Sequence, residues 1–295
     1  MTNKPLVSII MNCYNGEKFL KYSVKSIINQ KYTNWELIFW DNKSTDNSAK
    51  ILKEFKDKRI KYFYAKKKTV LYKARNLALK KAKGKFIAFL DVDDLWTKDK
   101  LSKQIPKFKD KKVGLVYSNF YKYYSKRKKA IAFKDKLPTG FVTNSIIKNY
   151  QVGFLTVVLR NEFTKKNSFD YRYDLLSDYD FVLFFSLKFK FACINKPLGF
   201  YRIHDQQFQK LNMIKQAKQF CNWYKKKNIK KKFKRYDLST INKKIKYYDL
   251  IKDINKSKID TLIKIFNDFD LLNLIKILII IFLPKKFYLR FMSNV

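Results

Sequence analysis

The stretch FLDVDDLW, residues 89–96, sets three carboxylates, Asp91, Asp93 and Asp94, into four consecutive positions directly after an apolar run. Charges so close repel one another, and a hard divalent cation relieves that repulsion. Mg2+ or Mn2+ takes oxygen ligands, and is commonly held by one or two carboxylates together with substrate phosphates. The pattern therefore suits a cation clamp for a diphosphate. A second reading makes Asp91 or Asp94 the cap of a helix starting near Trp96 or Thr97. That accounts for one aspartate but not for three.

The elements that must position this cluster follow from periodicity. Leu6–Met11, Trp35–Trp40, Ile60–Tyr64 and Phe86–Leu90 read as strands. Between them, Glu17–Gln30 reads as a helix with Phe19, Leu20, Val24, Ile27 and Ile28 on one face. A second helix runs to about Phe55 behind the capping residues Ser44, Thr45 and Asp46, and a third covers Tyr72–Ala82. Strand–helix alternation predicts an α/β fold, a mainly parallel sheet flanked by helices. In such sheets ligands bind beyond the carboxyl ends of the strands, where Asn12–Asn15, Asp41–Asn42 and Asp91–Asp94 all fall. Past residue 110 the alternation weakens. Val113–Tyr117 and Thr156–Arg160 read as strands, and Tyr179–Phe189 as a helix.

Composition limits the setting. The 295 residues carry 66 Lys+Arg against 24 Asp+Glu, a formal net charge of +42. Such a balance favours anionic partners, whether nucleic acid, membrane surface or phosphorylated substrate, and many of the lysines are equally read as solvated surface. Three distant cysteines, Cys13, Cys193 and Cys221, indicate neither a disulfide framework nor a zinc site. The N-terminus lacks the apolar core of a signal peptide, so a cytoplasmic protein is expected.

The run LVSIIMNCYNGEKFLKYSVKSIINQKYTNWELIFWDNKSTDNS, followed by KARNLALKKAKGKFIAFLDVDD, TVVLRNEFTKKNSFD, LLSDYDFVL and YRIH, resembles the family 2 glycosyltransferases with the GT-A fold. The resemblance covers roughly residues 5–205 and rests on the order of its motifs more than on any one. It implies a catalytic domain over residues 1–205, with a nucleotide-sugar half (1–110) and an acceptor half (111–205), followed by a basic helical tail (206–295). It also implies an inverting, metal-dependent transfer of a single sugar from a nucleotide-diphosphate sugar, UDP-linked by family preference, to an acceptor hydroxyl. The setting implied is assembly of a bacterial surface glycan such as lipopolysaccharide, O-antigen or capsule. The Gln-x-x-Arg-Trp motif of processive synthases is absent from the sequence.

Carried onto this chain, the resemblance places Asn12, Tyr14 and Asn15 beside the nucleoside and Asp41 on the base, with Arg75 near the base or diphosphate. Asp91 lies toward the ribose or sugar, and Asp93 is the principal contact to Mg2+ or Mn2+. His204, the chain's one histidine, falls near the diphosphate and can reach the metal, and Arg202 can stabilise the leaving diphosphate. A lone histidine is as readily a packed residue, and Arg202 as readily a structural ion-pair partner. Asp178 matches the Asp of the family's Glu-Asp pair, and would be the general base that deprotonates the acceptor. Ser177 stands where Glu is usual, which removes a charge that would orient the acceptor. The competing reading of Asp178 is a helix N-cap. Trp96 and the many Phe and Tyr residues read by default as core or crevice aromatics.

Residues 206–295 hold 22 Lys+Arg and 6 Asp+Glu. The apolar segment near 271–283 is thirteen residues long, about 20 Å as a helix and short of the ~30 Å hydrocarbon layer. A segment lying on an anionic membrane is expected, with packing on the catalytic body or on a second subunit as the alternative. The partners expected are thus a nucleotide-sugar donor, a glycan or lipid-linked acceptor and the inner face of the cell membrane, with no specific nucleic acid. The contrasting hypothesis is a nucleic-acid- or membrane-binding protein on a catalytically inactive glycosyltransferase-like fold. It leaves the aspartate cluster without a purpose.

Overall fold

The computed structural model describes residues 4–124, 129–164, 167–204 and 213–253. The chain divides into two compact units, Met1–His204 and Asp205–Val295. The first opens with β1 (Val7–Cys13), α1 (Glu17–Ile28), β2 (Trp35–Asp41), α2 (Ser48–Lys53), β3 (Ile60–Tyr64), α3 (Leu71–Leu79) and β4 (Phe86–Phe89). These four strands are parallel, in the order β3-β2-β1-β4. Every residue of β1, β2 and β4 is buried, the expected state of a parallel strand covered on both faces. Helix α1 buries Leu20, Ser23, Val24 and Ile27, a helical spacing that fixes one face to the sheet. Phe19 is left half-buried beside that face. At Gly84 a Cβ would come within 2.5 Å of the Ser8 backbone nitrogen, so the chain can enter β4 tightly against β1 only with glycine there.

Register carries the site. Cys13 pairs with Asp41, and Asp41 with Tyr64, so three parallel strands end level. The polar residues that follow them share one edge.

The second half of this unit is mixed rather than parallel. It contains β5 (Leu95–Trp96), α4 (Lys100–Gln104), β6 (Val113–Tyr123), β7 (Lys129–Ile131), α5 (Thr143–Lys148), β8 (Val158–Arg160), α6 (Asn161–Thr164), α7 (Ser177–Ser186) and β9 (Lys190–Arg202). Strand β8 runs antiparallel to β4 and β6, while β6 and β9 pair in parallel with register shifts. Strand β5 closes the sheet antiparallel to β9, so Trp96 is strand and not the start of a helix. Helix α4 begins only at Lys100, behind Asp99, which removes the capping reading of Asp91 and Asp94.

In the second unit, α8 (Met213–Lys226), α9 (Ile229–Lys232) and α10 (Ser239–Asp253) are helical. Ala217, Phe220, Trp223, Ile229, Phe233 and Ile241 are buried, and the Tyr224 hydroxyl donates to Asn242 Oδ1 at 2.9 Å. Lysines 225, 226, 230 and 231 are exposed. No helix among the described residues is long and apolar enough to cross a membrane. The apolar segment at 271–283 lies outside the described residues.

Candidate active site

At the end of β1, Asn12 is buried, yet neither amide atom of its side chain has a hydrogen-bond partner. A buried amide without partners is costly, and this one sits at the strand end expected to meet the nucleoside. Tyr14, exposed, carries the Lys68 ammonium 3.4 Å over its ring. Asn15 adopts a left-handed backbone (φ 53°) and its Oδ1 accepts from the Thr45 N–H at 2.8 Å. These contacts tie the loop after β1 to the loop after β2. Asp41 is fully buried. Its Oδ1 accepts from the Ser44 N–H at 2.7 Å and its Oδ2 from the Tyr62 hydroxyl at 2.9 Å. The protein thus orients both Asp41 oxygens, Tyr62 being a partner the sequence did not disclose.

Arg75 is enclosed by aromatic side chains. It is 2% exposed, with ring centroids of Tyr72, Phe89, Phe154 and Phe169 between 5.0 and 5.8 Å from its guanidinium carbon. Its Nη2 donates to Asp91 Oδ1 at 2.7 Å. In this aromatic box the guanidinium addresses Asp91 rather than an open crevice. Burial pushes the half-exposed Asp91 carboxyl above its usual range; Arg75 opposes that shift and Asp93 adds to it.

Asp93 and Asp94 diverge although adjacent. Asp94 turns inward, 3% exposed, and its Oδ1 accepts from the Arg202 N–H at 3.0 Å. Burial, then Asp93 and Asp91, push its carboxyl well above the ordinary range. Asp93 is partly exposed, and its Oδ2 lies 3.0 Å from His204 Nε2. His204 Nδ1 is left buried and unpartnered, with the Phe19 ring 5.0 Å away. Arg202 Nε donates to the Asp93 carbonyl at 2.8 Å, so one face of this guanidinium holds the turn itself. Ser23 Oγ on α1 lies 2.6 Å from the Val92 carbonyl and 2.7 Å from that of Asp94, anchoring the turn from the other side.

Among the described residues, no group of three or more His, Cys, Asp or Glu side chains is arranged as a metal cage. Of the expected ligands Asp91, Asp93 and His204, the last two are in contact at 3.0 Å, and one oxygen of Asp91 accepts from Arg75 while the other is left to a ligand. The donor set still fits a divalent cation. Three carboxylates crowd one turn, two of them with raised protonation, and one partly exposed carboxylate adjoins an imidazole. Such a site is completed by substrate phosphates rather than by protein ligands alone.

Asp178 occupies a different environment. It lies in the first turn of α7, behind the cap position at Leu176, and its Oδ1 accepts from the Tyr179 N–H at 2.7 Å. It is thus not the N-cap. Burial pushes its carboxyl above the usual range; the neighbouring Arg75 opposes that shift, while Asp91 adds to it. Ser177 is fully buried and donates to the Asp170 carbonyl at 2.8 Å. Burial pushes the Tyr72 and Tyr150 hydroxyls well above the usual tyrosine range, and Asp178 adds to both shifts. Nothing in their spacing marks them as site residues: they come from α3 and from the loop after α5.

The sequence pattern of glycosyl transferase family 2 matches residues 8–161, just over half the chain. The chain belongs to glycosyltransferase family 2. One relative is the Escherichia coli UDP-Glc:alpha-D-GlcNAc-diphosphoundecaprenol beta-1,3-glucosyltransferase WfgD, 39% identical over 174 residues, which are 59% of this chain and 67% of that protein. In fold, the chain resembles S. aureus TarS 1–349 in complex with UDP (TM-score 0.59, 17% identity, 92% of this chain and 80% of that one). It also resembles the mannosyltransferase PcManGT of Pyrobaculum calidifontis in complex with GDP-Man and Mn2+ (TM-score 0.60, 13% identity, 99% and 85%). The GT-A architecture expected of this glycosyltransferase is thereby shown.

Proposed function

We propose that this glycosyltransferase moves a single sugar, with inversion, from a UDP-sugar to a hydroxyl of a lipid-linked glycan acceptor during surface-glycan assembly. The observation that carries this reading is the separation of two kinds of carboxylate within one unit. Asp93 stands partly exposed beside His204, and Asp178 stands at the start of α7, its protonation raised by burial and that rise opposed by Arg75. The former suits a cation and a diphosphate, the latter a proton.

In this reading Asn12, Tyr14 and Asn15 form the nucleoside wall, and Asp41, oriented by Tyr62 and Ser44, contacts the base. Asp91, held by Arg75, faces the ribose or sugar. Asp93, aided by His204, would hold Mg2+ or Mn2+, and Arg202 lies against the departing diphosphate. A divalent cation, when bound, supplies positive charge to the leaving diphosphate. Asp178 takes the proton of the acceptor hydroxyl as that oxygen attacks the anomeric carbon from the face opposite the diphosphate, and this inverts the configuration. Its raised protonation range brings it closer to the working pH of a general base.

The donor and acceptor classes are supported by the UDP-glucose and GlcNAc-diphospholipid named for the E. coli relative. The basic tail suits contact with an anionic membrane. The experiment offers UDP-glucose, UDP-GlcNAc and GDP-mannose with a GlcNAc-diphospholipid, in vesicles with and without phosphatidylglycerol. Transfer from one UDP-sugar, faster on anionic vesicles, is the expected result. Transfer from none, by folded protein, would contradict the proposed donor and acceptor.

A further inference from the structure

One tyrosine hydroxyl packed against the start of α7, beside the residue that follows Asp178, is employed neither by the fold nor by the mechanism above. Tyr150 follows α5, and its ring meets that of Tyr179 edge-on, with centroids 5.1 Å apart and planes at 80°. That contact explains an aromatic residue here. It does not explain the hydroxyl. The Tyr150 oxygen is buried and has no hydrogen-bond partner, a state that phenylalanine would avoid. Burial pushes the ionisation of this hydroxyl well upward, and Asp178 adds to that shift.

Ser177 sharpens the point. Family members usually carry a glutamate there, a second charge beside the base. Here the side chain is short, fully buried and committed to the Asp170 carbonyl at 2.8 Å. It offers nothing to a substrate, so orientation of the acceptor falls to another polar group.

We infer that the Tyr150 hydroxyl is a hydrogen-bonding contact for the acceptor sugar, holding it beside Asp178 in place of the absent glutamate. Buried hydroxyls that bind sugars are typically completed by ligand oxygens, and the Tyr150–Tyr179 corner presents aromatic surface suited to a sugar's apolar face. The inference rests on the reading of Asp178 as the general base.

The test is Tyr150→Phe, which deletes the oxygen and keeps the ring. It is assayed in the full chain with UDP-glucose and a short-chain GlcNAc-diphospholipid. Loss of one acceptor hydrogen bond should raise the acceptor KM about tenfold, with kcat within about threefold. UDP affinity should be unchanged. The apparent Tm should hold or rise, because no protein hydrogen bond is lost. An unchanged acceptor KM would overturn the inference, as would a fall of several degrees in Tm, which would mark the hydroxyl as structural. If Tyr150→Phe behaves like wild type while Asp178→Asn is inactive, the inference alone fails. If Asp178→Asn transfers sugar normally, the general-base reading fails and takes this inference with it.

Discussion

Asp93 and Asp178 belong to one fold, yet their surroundings differ in kind. Asp93 follows a parallel strand among carboxylates, partly exposed, with an imidazole 3.0 Å away. Asp178 begins a helix, and its neighbours are tyrosine hydroxyls and a guanidinium. A carboxylate crowded by two others and beside an imidazole is suited to a cation, whereas one at a helix start with raised protonation and no second carboxylate in its own turn but Asp180 is suited to moving a proton. The same residue type therefore divides into two tasks by environment alone.

The sharpest way to break this comparison is Asp178→Asn. Removing a general base should lower transfer by about 10^2–10^4-fold, while UDP binding stays within about twofold of wild type. An equal loss of UDP binding would merge the two centres into one. A smaller effect comes from pH. The base must be ionised, and burial raises its protonation range. Activity should thus fall as pH drops through a limb lying above the ~3.9 of an ordinary aspartate, about tenfold per unit below it. The groups facing it are Tyr72, Tyr150 and Tyr179, whose own ionisation is pushed upward, together with Arg75, which opposes the rise, and Asp91, which adds to it. A limb near 3.9, or one unmoved in Asp178→Glu, would assign the titration elsewhere.

The smallest effect concerns an unpartnered group proposed for no ligand. Lys100 is fully buried, its amine 4.1 Å over the Trp96 ring and without a hydrogen bond. Burial pushes its protonation well below the usual lysine range. A cation whose folded-state value is depressed weakens the fold at neutral pH, and that penalty fades as pH rises toward ~10.4. Lys100→Met should therefore raise stability by about 1–3 kcal/mol at pH 7, and by less at pH 10, as read by urea denaturation. Transfer should be unchanged, in contrast to Tyr150→Phe. Lost activity would show that unpartnered atoms in this fold do not separate binding positions from packing ones.

Much of the donor half is legible in the sequence because its elements are regular. Buried parallel strands read as unbroken apolar runs, and the residues following them are polar. The acceptor half obscures its elements. Strand β9 contains Pro197 and Gly199, which ordinarily punctuate loops, and is tolerated because its register with β6 shifts beside Pro197. Strand β6 runs six residues beyond Tyr117 for the same structural reason: it follows β9 through these irregularities. In the site, Asp93 and Asp178 stand in recognisable motifs. Tyr62, Tyr72 and Tyr150 do not, since their roles arise from three elements meeting in space. Arg75 shows what a motif leaves unsaid: the four aromatic rings around its guanidinium and its pairing with Asp91 come from elements distant in sequence.

The central claim is that the acidic turn serves the donor and the start of α7 serves the acceptor. Titration calorimetry of UDP, with Mn2+ and with chelator, into wild type, Asp93→Asn and Asp178→Asn tests it most directly. The account predicts manganese-dependent binding in wild type and in Asp178→Asn, and its loss in Asp93→Asn. Binding that ignores manganese, or that fails equally in both variants, would contradict it.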